Sequence, residues 1–160
     1  MKFGIKESVL DDVYSYVLDK NAQIEFAREV LFLAPLKKIL REVGYNVEAP
    51  SVLKGVSATS HSFDMACSKT EGGKRIIVTV DMAICDIVCS EEHVISVFAK
   101  AFDVSPSKSI LIAVPALSDT AKKLANQYKL ETIEGRTPEE IARGFTETLG
   151  KIHATPTGAR

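Results

Sequence analysis

No apolar run in this 160-residue chain approaches the roughly 18 to 20 residues that a membrane-spanning helix needs, so no membrane partner is expected. The amino-terminal "MKFGIKESVLDD" has no apolar stretch followed by small residues, which argues against export. Cysteine is scarce, and three of them, an odd number, point to reduced thiols in a cytoplasmic protein rather than to a disulfide framework. An excess of one charge is missing too. Twenty Lys and Arg stand against 21 Asp and Glu, for a net charge of −1 and a pI of about 6.3. That balance lacks the footprint of a dedicated, nonspecific nucleic-acid binder. The basic groups Lys37, Lys38, Arg41 and Lys69, Lys74, Arg75 read as solvated faces. No nucleotide-cradling loop emerges from Gly55 and Ser57, which lack the glycine spacing and terminal lysine, and no Gly-x-Ser-x-Gly elbow occurs. Internal repeats, low-complexity segments and dividing linkers are also lacking.

The composition that remains, 46% hydrophobic and 26% charged, is globular, and the length suits one domain. A single domain over residues 1–150 is expected, with 151–160 as a loose tail. Helical periodicity appears over residues 8–19, with Val9, Val13, Tyr16 and Val17 on one side, and again over 22–43, where Pro35 predicts a kink and Gly44 a stop. The period then changes to two. "YNVEAPSVLKG" reads as one irregular strand interrupted by Pro50, and "SHSFDMACSK" and "KRIIVTVDMA" as a hairpin around "TEGG". "SEEHVISVFAKAF" is an amphipathic helix with Ser90 at its cap position, and "SILIAVP" a strand buried on both faces. Ser118 opens another helix, "LETIEG" is a last strand, and Thr137, Pro138 and Glu140 start a final helix ending near Leu149. The order α-α-β-β-β-α-β-α-β-α predicts an α/β fold of three α/β/α layers on a mixed central sheet.

Two carboxylates stand out in the hairpin. With an even loop, either Glu71-Gly72 or Thr70 to Gly73, Asp64 falls opposite Thr79, and Asp81 is a diagonal neighbour on the same face, about 7 Å away. An odd loop sends them to opposite faces. Neighbouring carboxylates repel, so the pair calls for compensation. A hard divalent ion such as Mg²⁺ is one answer, and a hydroxyl donor such as Thr79 to Asp64 is another. Asp81, Cys85, Cys89 and His93 recur every four residues and would suit zinc on one helix, but a strand end and a helix start divide them. His61 points away from Asp64 in a regular strand and reads as structural.

The acidic residues on the second and third strands of an α-β-β-β-α-β order resemble the PD-(D/E)XK, or restriction-endonuclease-like, fold. The later segments "ILIAVPALSDTAKKLANQY" and "LETIEG" are similar to Mrr-type restriction endonucleases, and the resemblance covers residues 22–146. It implies Asp64 and Asp81 as metal ligands for Mg²⁺, with Glu29 or Glu25 as an added helix glutamate. It also implies a lysine two residues past Asp81, where this chain has Ala83. Lys69, on the neighbouring strand, and Lys100, on the following helix, are the substitutes. The resemblance therefore implies a catalytically degenerate domain that associates with DNA or with a nucleic-acid-binding protein, or an active Mg²⁺-dependent nuclease whose lysine has migrated. "RIIVTVDMA" is also similar to archaeal proteins that bind the TATA-binding protein, which implies an interaction module for a basic transcription factor. A homo-oligomer is compatible with each of these.

Overall fold

The computed structural model describes residues 19–154. The helix expected over 8–19 and most of the expected tail lie outside them.

Helix α1 covers residues 19–42. Its middle, Ala27–Leu33, is wound as a π-helix, with the Ala34 N–H donating to the Glu29 carbonyl, and Ala34–Glu42 returns to α-winding. Pro35 explains the change, since it has no N–H to give and its ring crowds the carbonyl four residues back. The expected kink is thus resolved as a wider turn in a continuous helix. Gly44, at φ +95°, ends it: the Gly44 N–H donates to the Arg41 carbonyl and the Tyr45 N–H to that of Leu40, the paired bonds of a Schellman motif.

The central sheet has five strands in the order β1-β4-β5-β6-β7: Asn46–Glu48, Met65–Glu71, Lys74–Ile84, Lys108–Val114 and Glu131–Glu134. The β1–β4 and β4–β5 pairs are antiparallel, whereas the β5–β6 and β6–β7 pairs are parallel. Strands β2 (Ser51–Lys54) and β3 (Ser60–Phe63) form a separate two-stranded ribbon. The expected strand "YNVEAPSVLKG" therefore divides between sheets, and so, against expectation, does the first hairpin strand "SHSFDMACSK". Pro50 cannot donate to a ladder and separates β1 from β2, and Asp64 separates β3 from β4.

Helices α2 (Glu91–Val104), α3 (Asp119–Gln127) and α4 (Pro138–Ala154) complete the chain. The faces of the sheet follow strand alternation. Val78, Val80 and Met82 of β5, with Ile110, Ile112 and Val114 of β6, pack with Leu33, Leu36 and Leu40 of α1 and Ile141, Phe145 and Leu149 of α4. Ala83, Leu111 and Ala113 pack on the opposite side with Val94 and Val97 of α2 and Ala121 and Ala125 of α3. This is the three-layer α/β/α arrangement with a mixed sheet that the restriction-endonuclease-like reading predicted.

Local details differ from expectation in two places. Ser90 occupies the cap position of α2 without making a side-chain capping bond, whereas Ser118 Oγ accepts from the Ala121 N–H at 3.1 Å. Helix α4 starts as expected, with the Glu140 N–H donating to Thr137 Oγ1 at 3.2 Å. It runs past Leu149 to Ala154, because Ile152 still packs on the core and His153 Nε2 shares a 3.1 Å hydrogen bond with the buried Tyr45 hydroxyl.

Candidate active site

The β4–β5 hairpin decides where the carboxylates meet. Its loop is Gly72-Gly73, at φ +60° and +80°, and Glu71 pairs with Lys74. Two successive positive φ values make this a two-residue turn of the type that matches strand twist. The loop is even, so the shared face holds. Centring it on the two glycines slides the register by two residues from the expected one, and Thr79 now faces Ala66, Val80 faces Met65, and Asp81 comes level with Asp64. Thr79 is accordingly no donor to Asp64; its hydroxyl donates to Ser109 Oγ at 3.1 Å.

At the break before β4, Asp64 joins the end of the ladder through its side chain. Asp64 Oδ2 accepts the Met82 N–H at 2.7 Å, and the Asp64 N–H donates to Asp81 Oδ1 at 3.3 Å. Arg28, from the π-wound part of α1, donates from Nη1 to the Met82 carbonyl at 2.6 Å and lies 3.4 Å from Asp64 Oδ2. Glu25 balances it from 3.7 Å.

Asp81 is buried in β5, and Lys100 reaches it from α2, with Nζ 3.0 Å from Oδ2. Among the described residues this ion pair is the contact that the buried Oδ2 atom makes. Lys100 Nζ also donates to the Ser62 carbonyl at 2.7 Å and stands over the Phe63 ring, 4.6 Å from its centroid. Burial pushes the Asp81 carboxyl above its ordinary pKa, Lys100 opposes the shift, and the neighbouring Asp64 charge adds to it. Two carboxylates and two cations, Arg28 and Lys100, thus meet at this point, with burial opposing the charge on Asp81.

A cleft of about 160 Å³ opens over the pair, lined by Asp64, Asp81, His93, Ser96 and Lys100 among others. His93, Ser96 and Lys100 stand three and four residues apart on α2, so one face of that helix overlooks the acids. Of the two lysines named from the sequence, Lys100 comes to the carboxylates. Lys69 does not: it bonds the Val43 carbonyl at 2.8 Å and Glu71 at 3.1 Å, towards the hairpin turn. Glu29 also points elsewhere, exposed and 3.4 Å from Lys37. Consecutive helical residues point in different directions, so facing Arg28 to the site turns Glu29 away.

Among the described residues no group of three or more His, Cys, Asp and Glu could hold a metal ion. That removes the zinc arrangement of Asp81, Cys85, Cys89 and His93, and leaves a divalent ion two carboxylates. Cys85 and Cys89 are instead joined to each other in a disulfide, contrary to the expectation of reduced thiols, while Cys67 is free and buried. His61 lies apart, bound to Asp103 at 2.7 Å. Sequence reasoning missed Arg28. The one signal for it was Pro35, which announces irregular winding one to two turns upstream.

No family model matches the chain, and no curated protein does. Among solved structures, the crystal structure of a protein of unknown function, AF1548, is similar to it, with a TM-score of 0.52 and 15% identity over 76% of this chain and 69% of that one. The MspJI restriction endonuclease in complex with a 27-mer oligonucleotide aligns with a TM-score of 0.49 and 13% identity, over 86% of this chain and 30% of that one. The first likeness concerns the fold alone. No helix among the described residues is long and apolar enough to cross a membrane.

Proposed function

We propose that this chain is a divalent-metal-dependent phosphodiesterase of the nuclease type, with Lys100 in the role for which Ala83 is unsuited. One observation carries the reading: an ammonium group, supplied by the helix after β5, lies 3.0 Å from a buried carboxylate at the floor of an open cleft. Asp64 and Asp81 would hold the ion. Mg²⁺ fits them, because it takes oxygen ligands, keeps several of its own waters and binds through one or two carboxylates. Bound there, it supplies Lewis acidity and lowers the pKa of a coordinated water.

The protein's own groups then have separate tasks. Lys100 places positive charge where phosphoryl transfer accumulates negative charge. Its ammonium is held by the Ser62 carbonyl and the Phe63 ring, so little reorganisation is needed. Arg28 holds Asp64 through the same Nη1 that binds the Met82 carbonyl, which fixes that carboxylate against the strand. The substrate is a nucleic acid, as the resemblance to Mrr-type enzymes implies. The near-neutral charge of the whole chain makes binding depend on local contacts.

A second reading keeps the scaffold without the chemistry, as a degenerate domain that binds DNA or a basic protein such as the TATA-binding protein. Arg28 and Lys100 already neutralise both acids, which favours it. Incubation with plasmid and single-stranded DNA in Mg²⁺ or Mn²⁺ separates the two. Cleavage abolished by Asp81→Ala, and lowered about 10²- to 10³-fold by Lys100→Met, is expected of the enzyme. Absence of product from the folded protein at micromolar concentration with both metals would overturn the catalytic reading, and co-elution with the TATA-binding protein would then support the other.

A further inference from the structure

The loop from the end of β5 to the start of α2 holds the joined pair Cys85 and Cys89, whose Cα atoms are 5.5 Å apart. Their surroundings are unlike. Cys89 is wholly buried. Its N–H donates to the Ala116 carbonyl and its own carbonyl accepts from Ser118. Its sulfur lies 3.6 Å from the Ala83 carbonyl and 3.7 Å from that of Val114. Cys85 is half-buried. Its N–H is fixed to the Val114 carbonyl at 2.7 Å, and its sulfur lies 3.6 Å from His93 Nε2, on the residue that lines the acidic cleft. Between these anchors the chain bows outwards, and Ile87 is 81% exposed.

These surroundings suit two thiols as well as a disulfide. A protonated Cys89 would find two carbonyl acceptors already in reach, and a Cys85 thiol would face an imidazole, a partner that stabilises thiolate. Cys85 is pinned to the end of β6 and Cys89 to the segment that follows it, so the sulfurs stay in register in either state.

We propose that Cys85 and Cys89 form a reversible thiol–disulfide exchange site for a glutathione-class thiol, and that its state alters the surroundings of His93. The attacking thiolate meets the accessible Cys85 sulfur, the S–S bond breaks with its electron pair going to Cys89, and Cys89 takes up a proton. A second glutathione-class thiolate then attacks the mixed disulfide at the sulfur of the first, releasing Cys85 as a thiol and a low-molecular-weight disulfide. Two electrons pass from the two small thiols to the protein, and the reverse reaction uses the small disulfide as oxidant. The proposal does not depend on nuclease activity.

The full chain, equilibrated with graded ratios of reduced to oxidised glutathione, quenched in acid and alkylated under denaturing conditions, reports the state by mass. Three labels are expected under reducing ratios and one under oxidising ratios, the remaining one on Cys67. The double variant Cys85→Ser/Cys89→Ser is expected to carry one label throughout. The His93 ring signal in NMR, assigned with His93→Gln, is expected to shift between the two states and to lose that shift in the double variant. Three labels at every ratio, or loss of thiols only through linked dimers, would overturn the exchange site. An unmoved His93 signal across a clean transition from three labels to one would overturn its connection to the cleft. Loss of DNA cleavage in both states bears on the proposed function alone.

Discussion

Helix α2 meets a carboxylate at two neighbouring turns, one its own and one from β5. Near its C-terminus, Asp103 Oδ2 accepts from Ser57 Oγ at 2.6 Å and lies 2.7 Å from His61 Nε2, while Oδ1 accepts the Ser57 N–H at 3.0 Å. These bonds hold its carboxyl well below the usual range, at about 2. One turn earlier, Lys100 meets Asp81, whose carboxyl moves the other way because burial outweighs its single ion pair. The first acid is saturated with donors, and its effect is to tie the β2–β3 ribbon to the helix. The second is short of them and opens to a cleft. Two carboxylates, Asp103 on the helix and Asp81 facing it from β5, thus differ in environment: one is exposed to a full set of donors and fastened by them, the other is buried beside a single ammonium at the cleft, and that burial makes the difference.

The sharpest way to break this contrast is Lys100→Met, which strands a buried carboxylate. Removing one partner of such a pair costs about 3 kcal/mol when burial is complete, and somewhat less here because the lysine is 20% exposed. Urea unfolding at pH 7 measures it, and Lys100→Met/Asp81→Asn is expected to be more stable than Lys100→Met alone. Gly55→Ala attacks the fastener. A Cβ at position 55 would collide with the Asp103 carboxylate, so the ribbon should loosen by about 1 kcal/mol, visible as faster hydrogen exchange in 51–63, with the Asp81 cleft unaffected.

The smallest effect is expected from pH. A depressed folded pKa means that Asp103 contributes stability in full above the ordinary carboxylate pKa, about 4, and loses it as pH falls towards about 2. Asp103→Asn should therefore flatten the acid side of the stability profile between those values, with little change in its slope at pH 6 and above. A variant profile that keeps its slope from pH 4 to 2 would show that the fastener does not depend on charge.

Much of this was readable in the residues, and the failures have causes. Side-chain parity along a strand depends only on whether the loop is even, so the sequence tied the shared face of Asp64 and Asp81 to an even loop, and the two-residue turn meets that condition. The register did not follow from the sequence, because the preference of paired glycines for successive positive φ moved the turn by one residue. The continuous apolar run of β6 and the caps at Ser118 and Thr137 are local chemistry, and they appear where expected. Lys100 could be proposed from sequence as one of two substitutes, but choosing it over Lys69 needed the packing of α2 on the sheet. Arg28 joins the site over 54 residues of separation to Met82, and the pitch of α1 that aims it is set by a proline seven positions later.

The outer strands of the sheet are short. β1 has three residues and is followed by Pro50, and β7 has four, two of them glutamates. Rims of this kind give an arriving strand little to zip onto and repel it with like charge, so the sheet resists growing sideways into fibrils. Any second molecule that joins this protein is therefore expected to come through side chains at the cleft or the helical faces, leaving the backbone ladder closed.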